Sequence, residues 1–247
     1  MIKENILSKI ESGKKLWCIL LDPDKTELNK IDSLFALINK STCDYLLVGG
    51  SLINDQKFHE FLKKIKSISK KPIIIFPGNN QQISQNADGI FLLSLISGRN
   101  PDLLIGQHVK SSFKVRDSGL EILPCGYLLI EGSSLTSAVY ISESLPIPSN
   151  KSDIAAATAL AGEQLGLQFI YLDKGSGAES TVENKMIKAV QETINIPLIV
   201  GGGINNQEDL VNVWNAGADI AVIGTAIEKD FNNILLFNPI NDWQIQN

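Results

Sequence analysis

Three segments of the chain run from apolar residues straight into glycines and hydroxyls: residues 171–177 (YLDKGSG), 198–204 (LIVGGGI) and 221–227 (AVIGTAI). Gly175, Gly177, Gly201, Gly202, Gly203 and Gly224 free backbone N–H groups to converge on an anion, and Ser176 and Thr225 add hydroxyl donors. That is the chemistry of a phosphate cradle. Tight strand-to-helix turns would explain any one of these segments alone, but three with the same habit favour the anion. Lys174 reads as a counter-charge to that phosphate or, alternatively, as a Schiff-base nucleophile beside it. A fourth apolar run ends in LLDPDK, residues 20–25. Asp22 is a candidate magnesium ligand there, because Mg²⁺ takes one or two carboxylates and completes its shell with phosphate oxygens and water. Asp24 reads as a cap, and capping is the alternative for Asp22 as well. The next run ends in Gly49, Gly50 and Ser51. A metal-assisted site and a metal-free cradle make two anion sites, hence two phosphorylated substrates.

The elements that must carry these loops repeat regularly. WCILL, YLLVGG, PIIIF, GIFLL, GYLLI, FIYL, PLIVGG and DIAVIG read as parallel strands buried on both faces, since half-exposed strands would alternate with polar residues. Helical patterns are expected over residues 28–39, 55–68, 101–110, 153–165, 183–193 and 207–216. Strand and helix alternating to eight strands predict a (β/α)8 TIM barrel, with a doubly wound open sheet as the competitor. In a barrel the loops after the strands' carboxyl ends build the site, and the last strands commonly hold phosphate. One unit is irregular. PGNNQQISQNAD, residues 77–88, leaves no room for a full crossover helix, so the third helix is expected to be irregular or missing. A barrel missing an outer helix there would have a gap in its wall. The long connection over residues 133–153 reads as functional. No linker or low-complexity segment divides the chain, so residues 1–247 are expected to form a single barrel domain.

Composition limits the function classes. Of 247 residues, 44% are hydrophobic and 20% charged, which suits a folded globular chain. With 22 Lys and Arg against 27 Asp and Glu, the net charge of −5 argues against general nucleic-acid binding. Lys63, Lys64, Lys66, Lys70 and Lys71 read as a solvated helix face, with contact to an anionic membrane surface as the alternative. Cys18, Cys43 and Cys125 have neither disulfide nor zinc spacing and fit a reducing cytoplasm. Apolar runs of strand length predict no membrane span. His59 reads as a surface residue. His108 reads as packing or capping at least as readily as catalytic. Arg99 either reaches a diphosphate or makes a surface ion pair. Trp17 is expected on the barrel floor, and Trp214 and Trp243 in helix packing or a subunit contact.

LLDPDK, VGGS, SGRNP, IGQHV, PIPSNKSDIAAATALAGE, YLDKGSGA, VGGGI and IGTAIE, in order from residue 20 to 228, resemble the geranylgeranylglyceryl phosphate synthase family. The resemblance implies a Mg²⁺-dependent prenyltransferase on a modified barrel lacking a regular third helix. It would move a polyprenyl group, geranylgeranyl above all, from its diphosphate to the 3-hydroxyl of sn-glycerol 1-phosphate, in ether-lipid biosynthesis. It further implies Asp22 and Ser51 as metal ligands, and Tyr171, Leu172, Asp173, Lys174, Gly175, Ser176, Gly177, Gly202, Gly203, Gly224 and Thr225 as the glycerol phosphate site. Asp173 would take the proton of the attacking hydroxyl. Relatives often carry Glu where this chain has Asp173, one methylene shorter, so its reach to the glycerol hydroxyls differs. A homo-oligomer, touching the membrane at most peripherally to release its lipid product, is expected. The competing readings are a Schiff-base aldolase using Lys174 and a phosphate-binding barrel without catalysis.

Overall fold

A computed structural model describes residues 1–238; Trp243 lies outside the described residues. Eight parallel strands close in sequence order: β1 (Leu16–Leu21), β2 (Tyr45–Val48), β3 (Ile73–Ile75), β4 (Gly89–Leu95), β5 (Glu121–Leu129), β6 (Phe169–Asp173), β7 (Leu198–Gly201) and β8 (Ile220–Ile223), with β8 pairing onto β1. The expected TIM barrel is therefore the fold, and the open sheet is excluded.

Ten helices accompany the strands among the described residues: α1 (Ile2–Glu11), α2 (Ile31–Ile38), α3 (Asp55–Ile68), α4 (Gln107–Asp117), α5 (Ser137–Ser142), α6 (Ser152–Gln164), α7 (Asn184–Gln191), α8 (Gln207–Asn215), α9 (Thr225–Lys229) and α10 (Asn233–Leu236). No helix stands between β3 and β4, as the short third unit predicts. The helix expected over residues 101–110 begins later and runs further. A π-helical turn occupies Asp102–Gly106, and α4 continues to Asp117 because Ser111 and Val115 carry its buried face onward.

Side chains alternate across each strand, which divides the core in two. Leu16, Cys18 and Tyr45 join an inner cluster with Phe91, Phe169 and Tyr171. Trp17, Ile19 and Leu21 point outward into the layer between strands and helices. Trp17 is thus not on the barrel floor: strand parity turns it outward, where its ring lies 6.2 Å from that of Phe237 and its indole N–H donates to Thr42 Oγ1 at 3.2 Å. The amino-terminal end is closed instead by α1, whose Ile2 and Ile6 belong to the inner cluster. Trp214 packs α8 on the barrel and donates to the Leu16 carbonyl at 3.0 Å. Cys18, Cys43 and Cys125 are buried free thiols.

Candidate active site

The carboxyl ends of the strands surround one cavity of about 700 Å³. Asp22 and Ser51 line it from the β1 and β2 loops, Tyr171, Asp173, Gly175 and Ser176 from β6 and its loop, Gly202 and Gly203 after β7, and Gly224 and Thr225 after β8. Its floor is aromatic. Phe76, Tyr127 and Tyr171 pack with centroids 5.2–5.9 Å apart and close the bore beneath the site.

Three expected residues take other places. Leu172 is fully buried and faces outward from β6, into the helix layer, because parity opposes it to Tyr171. Lys174 is also buried, and its Nζ donates to Ser180 Oγ at 3.2 Å, the Thr181 carbonyl at 2.8 Å and Glu183 Oε1 at 2.8 Å. It does not line the cavity, so its ammonium is neither a counter-charge to a bound phosphate nor an exposed nucleophile; one step along the chain from inward Asp173 turns it to the opposite side. Gly177 stands just outside the lining residues and donates its N–H to Thr225 Oγ1 at 3.1 Å.

The glycines serve two purposes. Gly175 has φ +93°, and a Cβ there would meet Thr136 Cγ2 at 2.4 Å. Gly202 has φ +87°, and its Cβ would meet Gly175 N at 2.9 Å. At these positions it is loop packing on loop, under a residue of the long β5 connection, that excludes a side chain. Close packing of loop on loop is thus a further reason that these turns are bare. At Gly177 an added Cβ would meet nothing within 4 Å. Beside it Ser176 Oγ and Thr225 Oγ1 lie 3.3 Å apart, so the β6 and β8 loops present adjacent hydroxyls to the cavity.

Asp173 ends β6 facing inward. Its Oδ2 accepts a hydrogen bond from the Tyr127 hydroxyl and its Oδ1 accepts from Gly175 N at 2.8 Å. Burial pushes its carboxyl above the usual range, opposed first by the Tyr127 bond and then by the Gly175 N–H. A carboxylate held this way is suited to receive a proton. Sequence reasoning missed Tyr127, although the register Tyr127↔Tyr171 puts it on the inward face of β5 with the other site residues.

On the opposite side, Asp22 Oδ1 accepts from Asp24 N at 2.9 Å, and a Cβ on Gly50 would lie 3.0 Å from Asp22 Oδ2, so the β2 loop is bare where the carboxylate approaches it. The fully buried Gln82 ties this loop to the short third unit: its Nε2 donates to the Gly50 carbonyl at 3.2 Å and its Oε1 accepts from Gly78 N at 3.0 Å. No group of three His, Cys, Asp or Glu side chains able to hold a metal occurs among the described residues. The Asp22 carboxylate and the Ser51 hydroxyl, on a cavity with room for phosphate oxygens and water, fit an ion that keeps water and takes substrate oxygens, as Mg²⁺ does, and do not fit zinc.

The same cavity continues over β4. Phe91 and Leu93 meet it from inside the barrel, and Ile90 and Leu92 from outside, with Ile83, Leu103 and Val115 completing an apolar flank where the third helix is missing. His108 lies in this wall, with Nε2 3.0 Å from Ser94 Oγ, and burial lowers its pKa. Arg99 instead donates to the Ile96 and Gly98 carbonyls of its own loop, at 3.2 and 2.8 Å, and does not line the cavity. The long connection after β5 forms the roof through Ser137, Ala138 and Ile141 of α5.

A family model described as the PcrB family matches residues 9–238. The chain belongs to the PcrB family. It is similar to proteins named geranylgeranylglyceryl phosphate synthase from Spirosoma linguale, 48% identical over 89% of this chain and 88% of that one, and from Chitinophaga pinensis, 43% identical over 93% and 91%. Among solved structures it resembles (S)-3-O-geranylgeranylglyceryl phosphate synthase from Thermoplasma acidophilum in complex with its substrate sn-glycerol-1-phosphate, with a TM-score of 0.89 and 27% identity over 96% of both chains. The family expected from the motifs is thus the family found, and this PcrB-family chain is a prenyltransferase. No helix among its described residues is long and apolar enough to cross a membrane.

Proposed function

We propose that the chain joins the geranylgeranyl group of geranylgeranyl diphosphate to the 3-hydroxyl of sn-glycerol 1-phosphate, releasing diphosphate. The observation that carries this reading is the single cavity in which a carboxylate loop, a cradle of glycines and hydroxyls, and an apolar flank over β4 are continuous. The relatives named for this reaction support it. Residues 175–177, Gly202, Gly203, Gly224 and Thr225 hold the glycerol phosphate, and the backbone and Tyr171 at the end of β6 shape its seat. The hydroxyl oxygen forms the ether bond to the allylic carbon as the carbon–diphosphate bond breaks, and its proton passes to Asp173. Tyr127 keeps Asp173 ionised and aimed. Asp22 and Ser51 hold Mg²⁺, which supplies charge stabilisation to the departing diphosphate when bound. The aromatic floor bars the bore, so the prenyl tail lies along Ile90 and Leu92.

The Schiff-base alternative is not supported, since the Lys174 ammonium is engaged away from the cavity. We read the enzyme as cytoplasmic and homo-oligomeric, in peripheral contact with membrane when its product leaves. The test offers prenyl diphosphates of several lengths with sn-glycerol 1-phosphate or its enantiomer, with and without Mg²⁺, and identifies products by mass spectrometry. A Mg²⁺-dependent geranylgeranyl ether of the sn-1 isomer is expected. Absence of any ether, or retained catalysis without a divalent ion, overturns the reading or its metal.

A further inference from the structure

Lys25 is the one lysine or arginine among the residues lining the cavity. It follows Asp22 by three residues, and its Nζ lies 3.3 Å from Glu228 Oε2 of α9, 3.4 Å from Ser176 Oγ and 3.6 Å from Asp22 Oδ2. The ammonium therefore sits on the seam between the two anion sites, touching the metal-side carboxylate and a cradle hydroxyl at once. Its side chain is 49% exposed, whereas those of Asp22 and Glu228 are 16% and 15% exposed, so a solvent-reached ammonium rests on two largely buried acids. The reaction requires a phosphate and a diphosphate in one cavity together, and like charges so close oppose each other's binding. A fixed cation serving only one of them would leave that repulsion in place.

Resting on the proposed prenyl transfer, we infer that Lys25 is the cation shared by both substrates: its ammonium contacts the glycerol phosphate in the cradle and the diphosphate over Asp22, so that filling one site does not weaken the other. Glu228 is its positioning partner, holding the ammonium over the seam when the site is empty. A lysine suits this role because its point charge on a flexible stem can serve two anions without the fixed fork of an arginine.

The test is calorimetric titration of sn-glycerol 1-phosphate into the full chain, with and without Mg²⁺ and inorganic pyrophosphate. In the unaltered protein pyrophosphate should change the dissociation constant by less than about threefold. In Lys25→Met it should weaken glycerol phosphate binding by about tenfold or more, and Lys25→Arg should recover part of the difference. An unchanged melting temperature checks the fold, which the exposure of Lys25 favours, and Lys25→Gln repeats the test should Met aggregate. If the pyrophosphate effect is the same in the variants and the unaltered protein, the shared-cation role is wrong while prenyl transfer stands. If the unaltered protein binds neither anion, the prenyl transfer reading fails first and takes this inference with it.

Discussion

Tyr127→Phe removes one hydroxyl and little else, since the ring keeps its packing at 5.9 Å from Phe76 and 5.5 Å from Tyr171. What it takes from Asp173 is the larger of the two hydrogen bonds that hold the carboxylate ionised against burial. A hydrogen bond to a charged group contributes about 1.5–3 kcal/mol net. Loss of the bond should thus raise the Asp173 pKa further, because burial, which already raises it, is then opposed by the Gly175 N–H alone. The sign follows from the chemistry. Attack needs the ionised carboxylate, so activity falls as pH drops through its pKa. In the unaltered enzyme the acid limb of kcat/KM should already lie above the ordinary Asp range, and Tyr127→Phe should move it to higher pH. The assay is kcat/KM for sn-glycerol 1-phosphate across pH 5–9 at saturating prenyl diphosphate. Ionisation of the substrate phosphate, near pH 6, is common to both profiles and cancels in their difference. Asp173→Asn should abolish the limb that moves. A limb that stays in place in folded Tyr127→Phe, or shifts to lower pH, refutes Asp173 as the proton acceptor.

Asp22→Asn should lower kcat/KM by on the order of 100-fold or more, the scale on which even supporting residues of metal sites register, with glycerol phosphate affinity retained by titration; near-normal turnover at saturating Mg²⁺ would remove Asp22 from the metal site. Gly202→Val places a side chain at φ +87° against Gly175, and with about 1–2 kcal/mol of strain in that backbone region the KM for glycerol phosphate should rise about tenfold in the folded variant, an unchanged KM counting against the cradle. Leu92→Trp and Ser111→Phe, on the β4 flank, should shorten the longest prenyl chain accepted and leave glycerol phosphate kinetics alone; equal effects on both substrates would move the groove elsewhere. Lys174→Met should act on stability, losing about 2 kcal/mol, since a broken buried pair costs about 3–5 kcal/mol and Glu183 is 42% exposed; a higher KM for glycerol phosphate at an unchanged melting temperature would restore Lys174 to the substrate site.

The sequence alone determined the barrel, because strands buried on both faces need continuous apolar runs, and such runs are visible without knowing what covers them. It also determined which loops end in glycines, hydroxyls and a carboxylate, and that the third unit lacked residues for a helix. Those features are local in the chain. What the tertiary structure decided was direction and company. Strand parity and loop path turned Lys174 away from the cavity, Trp17 out of the bore and Tyr127 onto Asp173, reversals that one residue of register produces and composition does not record. The closing of β8 on β1 brought Ser176 and Glu228 within 3.4 Å of the Lys25 ammonium, the latter across 203 positions of sequence. Short strands carry the inward or outward sense only through their pairing, and residues from distant units meet only once the sheet has closed, so the site's members were legible singly while their arrangement was not.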